Sequence, residues 1–161
     1  MTNIASNVYN EYPPPPENRY WGLVKLEEVR TVCWRPTCVQ PQCHVKLSSD
    51  CELAPVRDEV IRLNVAGQLG LGERCIVPVQ GEEELHLEVT VCNGVDGGWL
   101  YQEDNYQMKY IVKYQDEEGN NKEMTFCVEM RGLGGALVLT QCNNEEKKQK
   151  WIWDEYKPYW A

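Results

Sequence analysis

The sequence predicts an all-β domain stapled by disulfides, and three observations support this fold class. First, six of the eight cysteines fall into three pairs of similar spacing, and a short alternating apolar segment precedes each later cysteine. Second, turn-forming residues recur between short runs of β-branched and aromatic residues. Third, helical periodicity is scarce. The three cysteine pairs predict that one small β unit recurs three times. A chain of 161 residues is long enough to form a single core. The paired cysteines are Cys33 and Cys51, Cys75 and Cys92, and Cys127 and Cys142.

The N-terminal region is predicted to be distinct from the rest of the chain. Residues 1–19 are polar and contain four consecutive prolines, which favour an extended polyproline II segment without amide donors. We interpret this segment as a linker or a tail along the domain, with a ligand for proline-binding modules as the alternative. Residues 20–161 are predicted to form a single all-β domain.

The predicted strands alternate with turns from residue 20 onward. In residues 85–92, leucines and valines alternate with polar residues, which is typical of a strand with one buried face. Residues 116–121 predict a hairpin turn, because Gly119 and Asn120 accept positive φ. Residues 55–63 fit either two helical turns or a strand that ends at Leu63. Further strands are predicted at residues 21–32, 106–114, 122–130, 136–140 and 151–156.

Composition and charge narrow the classes of partner. The net charge is −9, and the basic residues form no cluster beyond Lys147 and Lys148, so nucleic acid and anionic membranes are not expected partners. We expect no membrane insertion, because no run is apolar enough to span a bilayer. Six Trp and nine Tyr against one Phe suit half-buried sheet faces and binding surfaces.

The even number of cysteines predicts disulfides and an oxidising compartment. We therefore expect an extracellular protein or one of the secretory pathway, although the sequence contains no signal peptide. This interpretation takes the chain as a mature fragment with an added Met1. The alternative is a cytosolic protein with free thiols.

The three copies also carry a family resemblance. The third copy reads Cys-Val-Glu at 127–129, Leu-Val-Leu-Thr-Gln-Cys at 137–142 and Gln-Lys-Trp at 149–151, and the second has similar residues from Cys75 to Trp99. At these positions the chain resembles the ricin-type β-trefoil lectin domains, most of all the C-terminal lectin domain of polypeptide N-acetylgalactosaminyltransferases. The resemblance covers residues 20–157 and implies a disulfide-stapled β-trefoil. A two-sheet β-sandwich is the alternative.

The resemblance implies a disulfide within each repeat. It implies that the two remaining cysteines, Cys38 and Cys43, pair locally, although eight cysteines by themselves allow many connectivities. The implied disulfides are Cys33–Cys51, Cys38–Cys43, Cys75–Cys92 and Cys127–Cys142.

The resemblance also implies where a sugar would bind. Lectins of this type use a carboxylate after the first cysteine of a repeat, an amide and an aromatic ring, which suit the hydroxyls and the apolar face of a sugar. Arg35 and Val77 replace the carboxylate in the first two copies, so only the third keeps it. Trp151 of the Gln-x-Trp motif is expected in the core. The predicted ligand-binding residues are Glu129, Asn143, Trp153 and Tyr156.

No motif predicts catalysis, a cofactor or a metal site. Cys38, Cys43 and His44 are close in sequence, but no second pair completes a zinc site, and paired half-cystines fit better. The glycine-rich residues 132–135 precede no helix pattern and predict a turn. We therefore expect a non-catalytic extracellular module that binds carbohydrate of the galactose or GalNAc type. The alternative is a protein-binding module such as a secreted inhibitor, a receptor-binding domain or a surface antigen.

Overall fold

Within the residues that the computed structural model describes, twelve strands are joined in one hydrogen-bonded network. The structure describes residues 18–26, 32–39, 42–51, 60–72, 74–95, 97–131 and 137–154. The proline run, the helical alternative for residues 55–59, the glycine-rich residues 132–135 and Tyr156 lie outside these ranges. The strands are β1 (Asn18–Leu26), β2 (Val32–Val39), β3 (Gln42–Ser48), β4 (Ile61–Asn64), β5 (Leu69–Leu71), β6 (Arg74–Gln80), β7 (Leu85–Val91), β8 (Trp99–Gln102), β9 (Gln107–Gln115), β10 (Asn121–Met130), β11 (Leu137–Gln141) and β12 (Trp151–Asp154).

The strands divide into three repeats of four: β1–β4, β5–β8 and β9–β12. In each repeat the second and third strands form an antiparallel hairpin. The three hairpins meet, because β7 pairs with both β3 and β11. Strand β1 pairs with β4 and also with β12, which joins the first repeat to the last.

This topology is a β-trefoil, as the resemblance implies. The β-sandwich alternative is wrong, because a sandwich needs two separate sheets that pack face to face. Here one network contains every described strand, and its three hairpins converge. The domain is therefore all-β apart from a 3-10 helix at Lys147–Gln149 within the described residues.

Equivalent positions of the three repeats supply the core. The residue after the first cysteine of each pair is Trp34, Ile76 or Val128, and all three side chains are at most 1% exposed. Burial of side chains of this size stabilises the fold by about 1.5–3 kcal/mol each. The disulfides link Cys33–Cys51, Cys38–Cys43, Cys75–Cys92 and Cys127–Cys142, which is the pairing that the resemblance implies.

Two tryptophans confirm that the second and third repeats are equivalent. The indole Nε1 of Trp99 donates to the carbonyl of Ile76 at 2.9 Å, and that of Trp151 donates to the carbonyl of Val128 at 2.8 Å. The sequence separation is 23 residues in both cases. Trp151 is fully buried, so its predicted place in the core is confirmed.

A strand is present in the predicted region, residues 85–92. At one end of it, however, the side chains do not follow the predicted alternation of buried and exposed positions. Leu87 is buried, and Leu85 and Val89 pack against the core. Val91, expected on the same face, is 65% exposed. It is the last residue of β7 and pairs with the exposed Arg74, where the strand has passed the edge of the core.

The hairpin of β9 and β10 extends beyond the core, and we call its residues 113–125 the hairpin arm. The predicted turn at residues 116–121 is confirmed, and Gly119 there has a φ of 82°. Asp116 Oδ1 accepts hydrogen bonds from the backbone amides of Glu118 and Asn120. All residues of the arm except Asp116 are exposed, so it stands largely in solvent.

Candidate functional site

A polar cleft opens in the third repeat between β10, β11 and the 3-10 helix. Its volume is about 620 Å³. Two of the predicted ligand-binding residues, one from β10 and one from the chain after β11, lie together in its wall. The lining residues are Glu129, Thr140, Gln141, Cys142, Asn143, Asn144, Glu145, Glu146 and Gln149.

Gln149 organises the floor of this cleft. It is 1% exposed, and its Nε2 donates to Glu129 Oε1 at 3.1 Å and to the carbonyl of Gln141 at 3.0 Å. Its Oε1 accepts from the backbone amide of Asn143 at 2.9 Å and from Gln107 Nε2 at 3.1 Å. These four bonds use the full hydrogen-bonding capacity of the amide. The first residue of the Gln-x-Trp motif is therefore a buried structural hub.

The carboxylate of Glu129 is held in place on both oxygens. Oε1 accepts from Gln149, and Oε2 lies 3.1 Å from Nη1 of Arg131. Arg131 also pairs with Glu84 of the turn between β6 and β7 at 2.6 Å. A carboxylate offers about four lone-pair positions, so each oxygen keeps capacity for one more donor. The Glu129 side chain is 12% exposed, and it can accept two hydroxyl hydrogen bonds from the cleft side.

Asn143 combines a fixed backbone with an available side chain. Its amide donates to Gln149, and its carbonyl accepts from Gln107 Nε2 at 3.1 Å. Its Oδ1 accepts from the amide of Glu145 at 3.0 Å, and its Nδ2 has no partner among the residues that the structure describes. The exposed Nδ2 can therefore donate to a ligand in the cleft.

A second layer of polar residues supports the cleft from the turn between β8 and β9. Gln107 is fully buried, and its side chain accepts from Asn105 Nδ2 at 2.8 Å. The same Nδ2 donates to Asn144 Oδ1 at 2.7 Å, and Lys150 Nζ donates to the Asn105 carbonyl at 3.2 Å. The side chain of Asn144, on the cleft rim, is thereby connected through Asn105 to the buried Gln107.

Trp153, one of the two predicted aromatic residues, is not among the residues that line the described wall of the cleft. Trp153 packs its ring on Tyr20, with centroids 5.6 Å apart and planes 14° apart, and meets the edge of Tyr101 at 6.1 Å. These contacts hold it on the β1, β8 and β12 side of the molecule, so Trp153 does not join Glu129 and Asn143. Tyr156 lies outside the described residues. The described wall of the cleft contains polar side chains and a cystine.

The first two repeats differ at the equivalent positions. Arg35 replaces the carboxylate in the first repeat and donates through Nη2 to the carbonyl of Asp50 at 3.0 Å. Val77 replaces it in the second repeat, where Gly97 stands at the position of Gln149. A Cβ on Gly97 would lie 1.8 Å from the carbonyl oxygen of Ala66, so no side chain fits there. The polar floor of the third repeat cannot form in the second.

Two glutamines at turns with a positive φ were not predicted from the sequence: Gln107 is buried and Gln68 is half-buried. Gln107 follows Tyr106, whose φ of 58° is positive, and Gln68 follows Gly67, whose φ is 84°. The carbonyls of Gly67 and Tyr106 accept from the amides of Trp99 and Trp151. The sequence contained a signal for these glutamines, because Gly-Gln-Leu at 67–69 and Tyr-Gln-Met at 106–108 have the same pattern. However, an isolated Gln is usually a surface residue.

The histidines lie apart from the cleft. His86 Nε2 is 2.7 Å from Glu88 Oε2, and the rings of His44 and His86 are 6.4 Å apart. Cys38 and Cys43 form a disulfide, so they are not zinc ligands. Within the described ranges, no three His, Cys, Asp or Glu side chains are grouped to hold a metal ion. No helix there has the length and apolarity that a membrane span requires.

This chain has relatives among known proteins. No family model matches the chain. N-acetylgalactosaminyltransferase 7 of Drosophila melanogaster is 29% identical over 164 residues, which cover 99% of this chain and 24% of that protein. The probable N-acetylgalactosaminyltransferase 7 of Caenorhabditis elegans is 24% identical over 163 residues, covering 97% and 23%. The chain thus spans about a quarter of the length of these relatives.

A solved structure shows the same fold. The crystal structure of GalNAc-T7 with UDP, GalNAc and Mn²⁺ superposes with a TM-score of 0.66 at 20% identity, over 97% of this chain and 26% of that one. The similarity covers nearly all of this chain and supports a carbohydrate-binding module. The four disulfides indicate a compartment other than the cytosol. The predicted resemblance is therefore confirmed: this chain is similar to the C-terminal lectin domain of the polypeptide N-acetylgalactosaminyltransferases, and it has the β-trefoil fold.

Proposed function

We propose that this chain is a non-catalytic carbohydrate-binding module that binds galactose or GalNAc in the cleft of the third repeat. The observation that carries the proposal is that Glu129 and Asn143 line one cleft, where Gln149 holds the carboxylate of the first and the backbone of the second. We further propose that residues 20–161 form the binding domain, and that residues 1–19 connect it to its surroundings.

The chemistry of the cleft suits a sugar with vicinal hydroxyls. Glu129 offers one remaining acceptor position on each oxygen, and Asn143 Nδ2 offers a donor. Hydrogen bonds to an ionised carboxylate are among the strong ones, at about 1.5–3 kcal/mol each. Tyr156 stays the predicted residue that stacks on the sugar face.

The comparisons support the ligand class and the setting. The relatives are named N-acetylgalactosaminyltransferases, and the similar crystal structure was solved with GalNAc. We propose the same sugar type for this cleft, and a place outside the cell or in the secretory pathway. The chain matches about a quarter of each relative, which supports a binding role separate from transfer chemistry.

Isothermal titration with GalNAc and galactose tests the proposal. We expect Glu129→Ala to abolish binding and Asn143→Ala to weaken it about two- to tenfold, as expected for one neutral hydrogen bond. Glu123→Ala is the matched control, because that carboxylate is exposed on the hairpin arm. Circular dichroism establishes that each variant is folded. Unchanged affinity in Glu129→Ala, or no binding of either sugar by the wild type, would refute the proposal.

A specific observation also favours a protein-binding module. Tyr114 and Met124 are 44% and 47% exposed on the hairpin arm. Exposed aromatic and apolar side chains with a polar rim are typical of protein interfaces. In this case Glu129→Ala would be nearly silent, and Tyr114→Ala with Met124→Ala would abolish partner binding without changing the titration with sugar.

A further inference from the structure

The Cys38–Cys43 disulfide has surroundings that the other three lack. The two cysteines face each other directly across the β2–β3 hairpin, with Cα atoms 4.1 Å apart. Cys38 is exposed to solvent, whereas Cys43 is 6% exposed. Nη1 of Arg74, on β6, lies 3.3 Å from Sγ of Cys43. The accessible sulfur of Cys38 is thus bonded to the sulfur of Cys43, which lies beside a cation.

This arrangement favours nucleophilic attack at one sulfur. A disulfide is opened by a thiolate that attacks one sulfur in line, and the reaction is faster when the departing thiolate is stabilised. Attack at Cys38 releases the sulfur of Cys43, where the guanidinium of Arg74 stabilises the negative charge. Burial of Cys43 disfavours a thiolate, and contact with the cation at 3.3 Å offsets that cost.

We propose that the Cys38–Cys43 disulfide is a thiol-exchange site, attacked at Cys38 by a thiol of the glutathione class. The incoming thiolate forms a new S–S bond to Cys38, the Cys38–Cys43 bond breaks, and its electron pair leaves on Cys43. A second thiolate that attacks the mixed disulfide restores the Cys38 thiol and produces the oxidised dimer of the reagent. Two electrons pass from the thiols to the protein.

The other disulfides do not offer this route. Cys33, Cys75 and Cys127 are at most 1% exposed. The carbonyl oxygen of Ser48 lies 3.2 Å from Sγ of Cys51, where its partial negative charge opposes a thiolate. Cys92 and Cys142 are partly buried, and attack on either would release a thiolate from a fully buried partner.

Exchange at this site remains local. The β2–β3 ladder continues from Cys33 to Val39 on one strand, and β3 also pairs with β7 at Cys43 and His44. These hydrogen bonds do not depend on the disulfide. Opening it removes a cross-link from the end of one hairpin, next to the join between the first and second repeats, while three disulfides still staple the fold.

Differential alkylation tests the proposal on the native chain. The protein is incubated with increasing concentrations of reduced glutathione, quenched with acid, alkylated and mapped by peptide mass spectrometry. We expect Cys38 and Cys43 to be labelled at glutathione concentrations about tenfold lower than the other six cysteines need. We also expect the trapped glutathione adduct on Cys38. Simultaneous reduction of all four disulfides, or an adduct on Cys43, would overturn the proposal.

Arg74 variants provide the specific control. Arg74→Met should slow opening of this disulfide about tenfold, and Arg74→Lys should retain most of the rate, because a cation remains beside the sulfur. Arg19→Met removes an exposed cation elsewhere on the domain and should leave the rate unchanged. Equal rates in the wild type and in Arg74→Met would show that the guanidinium has no part in the exchange.

Discussion

Gln149 shows how one buried polar residue can organise a binding surface. A buried amide is costly unless every donor and acceptor is paired, and this one makes four hydrogen bonds. Its partners are the carboxylate of Glu129, the side-chain amide of Gln107 and the backbone of the cleft. The same residue therefore serves the fold and sets the geometry of the proposed ligand site.

Replacement of Gln149 by Leu should lower the free energy of unfolding by about 3 kcal/mol, because it leaves the amide of Asn143 and the carbonyl of Gln141 without their side-chain partner. Urea denaturation measures this loss. Gln115→Leu, on the exposed hairpin arm, should change stability by no more than about 0.5 kcal/mol. Equal effects of the two substitutions would contradict the role of Gln149 as a hub.

The phenol of Tyr20 makes the free energy of unfolding depend on pH in the alkaline range. Burial raises the pKa of its phenol from the ordinary 10.0 to about 12; a hydrogen bond to Glu103 and the charge of that carboxylate add to the shift, and Arg19 opposes it. The folded state thus keeps a proton that the unfolded chain loses from pH 10.0 upward. The stabilisation is complete below that pH and is lost as the pH rises through about 12.

In Tyr20→Phe, the decrease in unfolding free energy between pH 10.0 and about 12 should be smaller than in the wild type. Urea denaturation at the two ends of this range measures it. Tyr114→Phe is the matched control, since Tyr114 is 44% exposed. A decrease in Tyr20→Phe as steep as in the wild type would exclude this phenol as the cause.

Among the elements, the turn between β6 and β7 supports the cleft of the next repeat. Arg131, which follows β10, pairs with Glu84 of that turn and with Glu129 of the cleft. The cation compensates both carboxylates and keeps the Glu129 side chain from rotating away from Gln149. A contact between two repeats therefore contributes to a site in one of them.

Arg131→Met should weaken GalNAc binding about fivefold, as expected for loss of one half-exposed charged contact that positions Glu129. Glu84→Gln should have a smaller effect, because Arg131 still reaches Glu129. Titration of folded variants measures both, with Arg19→Met as the charge control. Affinity equal to the wild type in Arg131→Met would show that Glu129 needs no second anchor.

Sequence periodicity predicted the elements that have one buried face and missed those that depend on distant residues. Residues 85–92 and the turn at 116–121 were predicted, because alternation and positive-φ residues are local signals. The exposure of Val91 was missed, because it depends on where the core ends. Glu129 and Asn143 were predicted from the resemblance, whereas the position of Trp153 follows from its packing on Tyr20, which lies far away in sequence.

At the scale of the whole molecule, the similarity of the repeats depends on hydrogen bonds that recur at equivalent positions. Trp99 and Trp151 each satisfy the carbonyl of the residue after a half-cystine. The first repeat breaks this rule, since Trp34 occupies the position of Ile76 and Val128. Its Nε1 is buried and has no partner within the described part of the chain.

Trp151→Phe should therefore cost about 1–2 kcal/mol more than Trp34→Phe, because both variants lose the same volume but only the first loses a buried hydrogen bond. Thermal or urea unfolding of the single variants measures the difference. Because the two rings contact each other at 5.4 Å, the double variant should not be additive. Equal costs for the single variants would contradict this assignment of the indole hydrogen bond.

The hairpin arm also offers a place for added sequence. Its tip around Gly119 is exposed, and its turn is closed by hydrogen bonds between Asp116 and Asn120. Lengthening such a loop costs little, since closure entropy grows slowly with loop length. An epitope tag or a short biotin-acceptor peptide inserted after Gly119 would leave the third-repeat cleft intact. The domain can then be immobilised through a defined internal point of the chain.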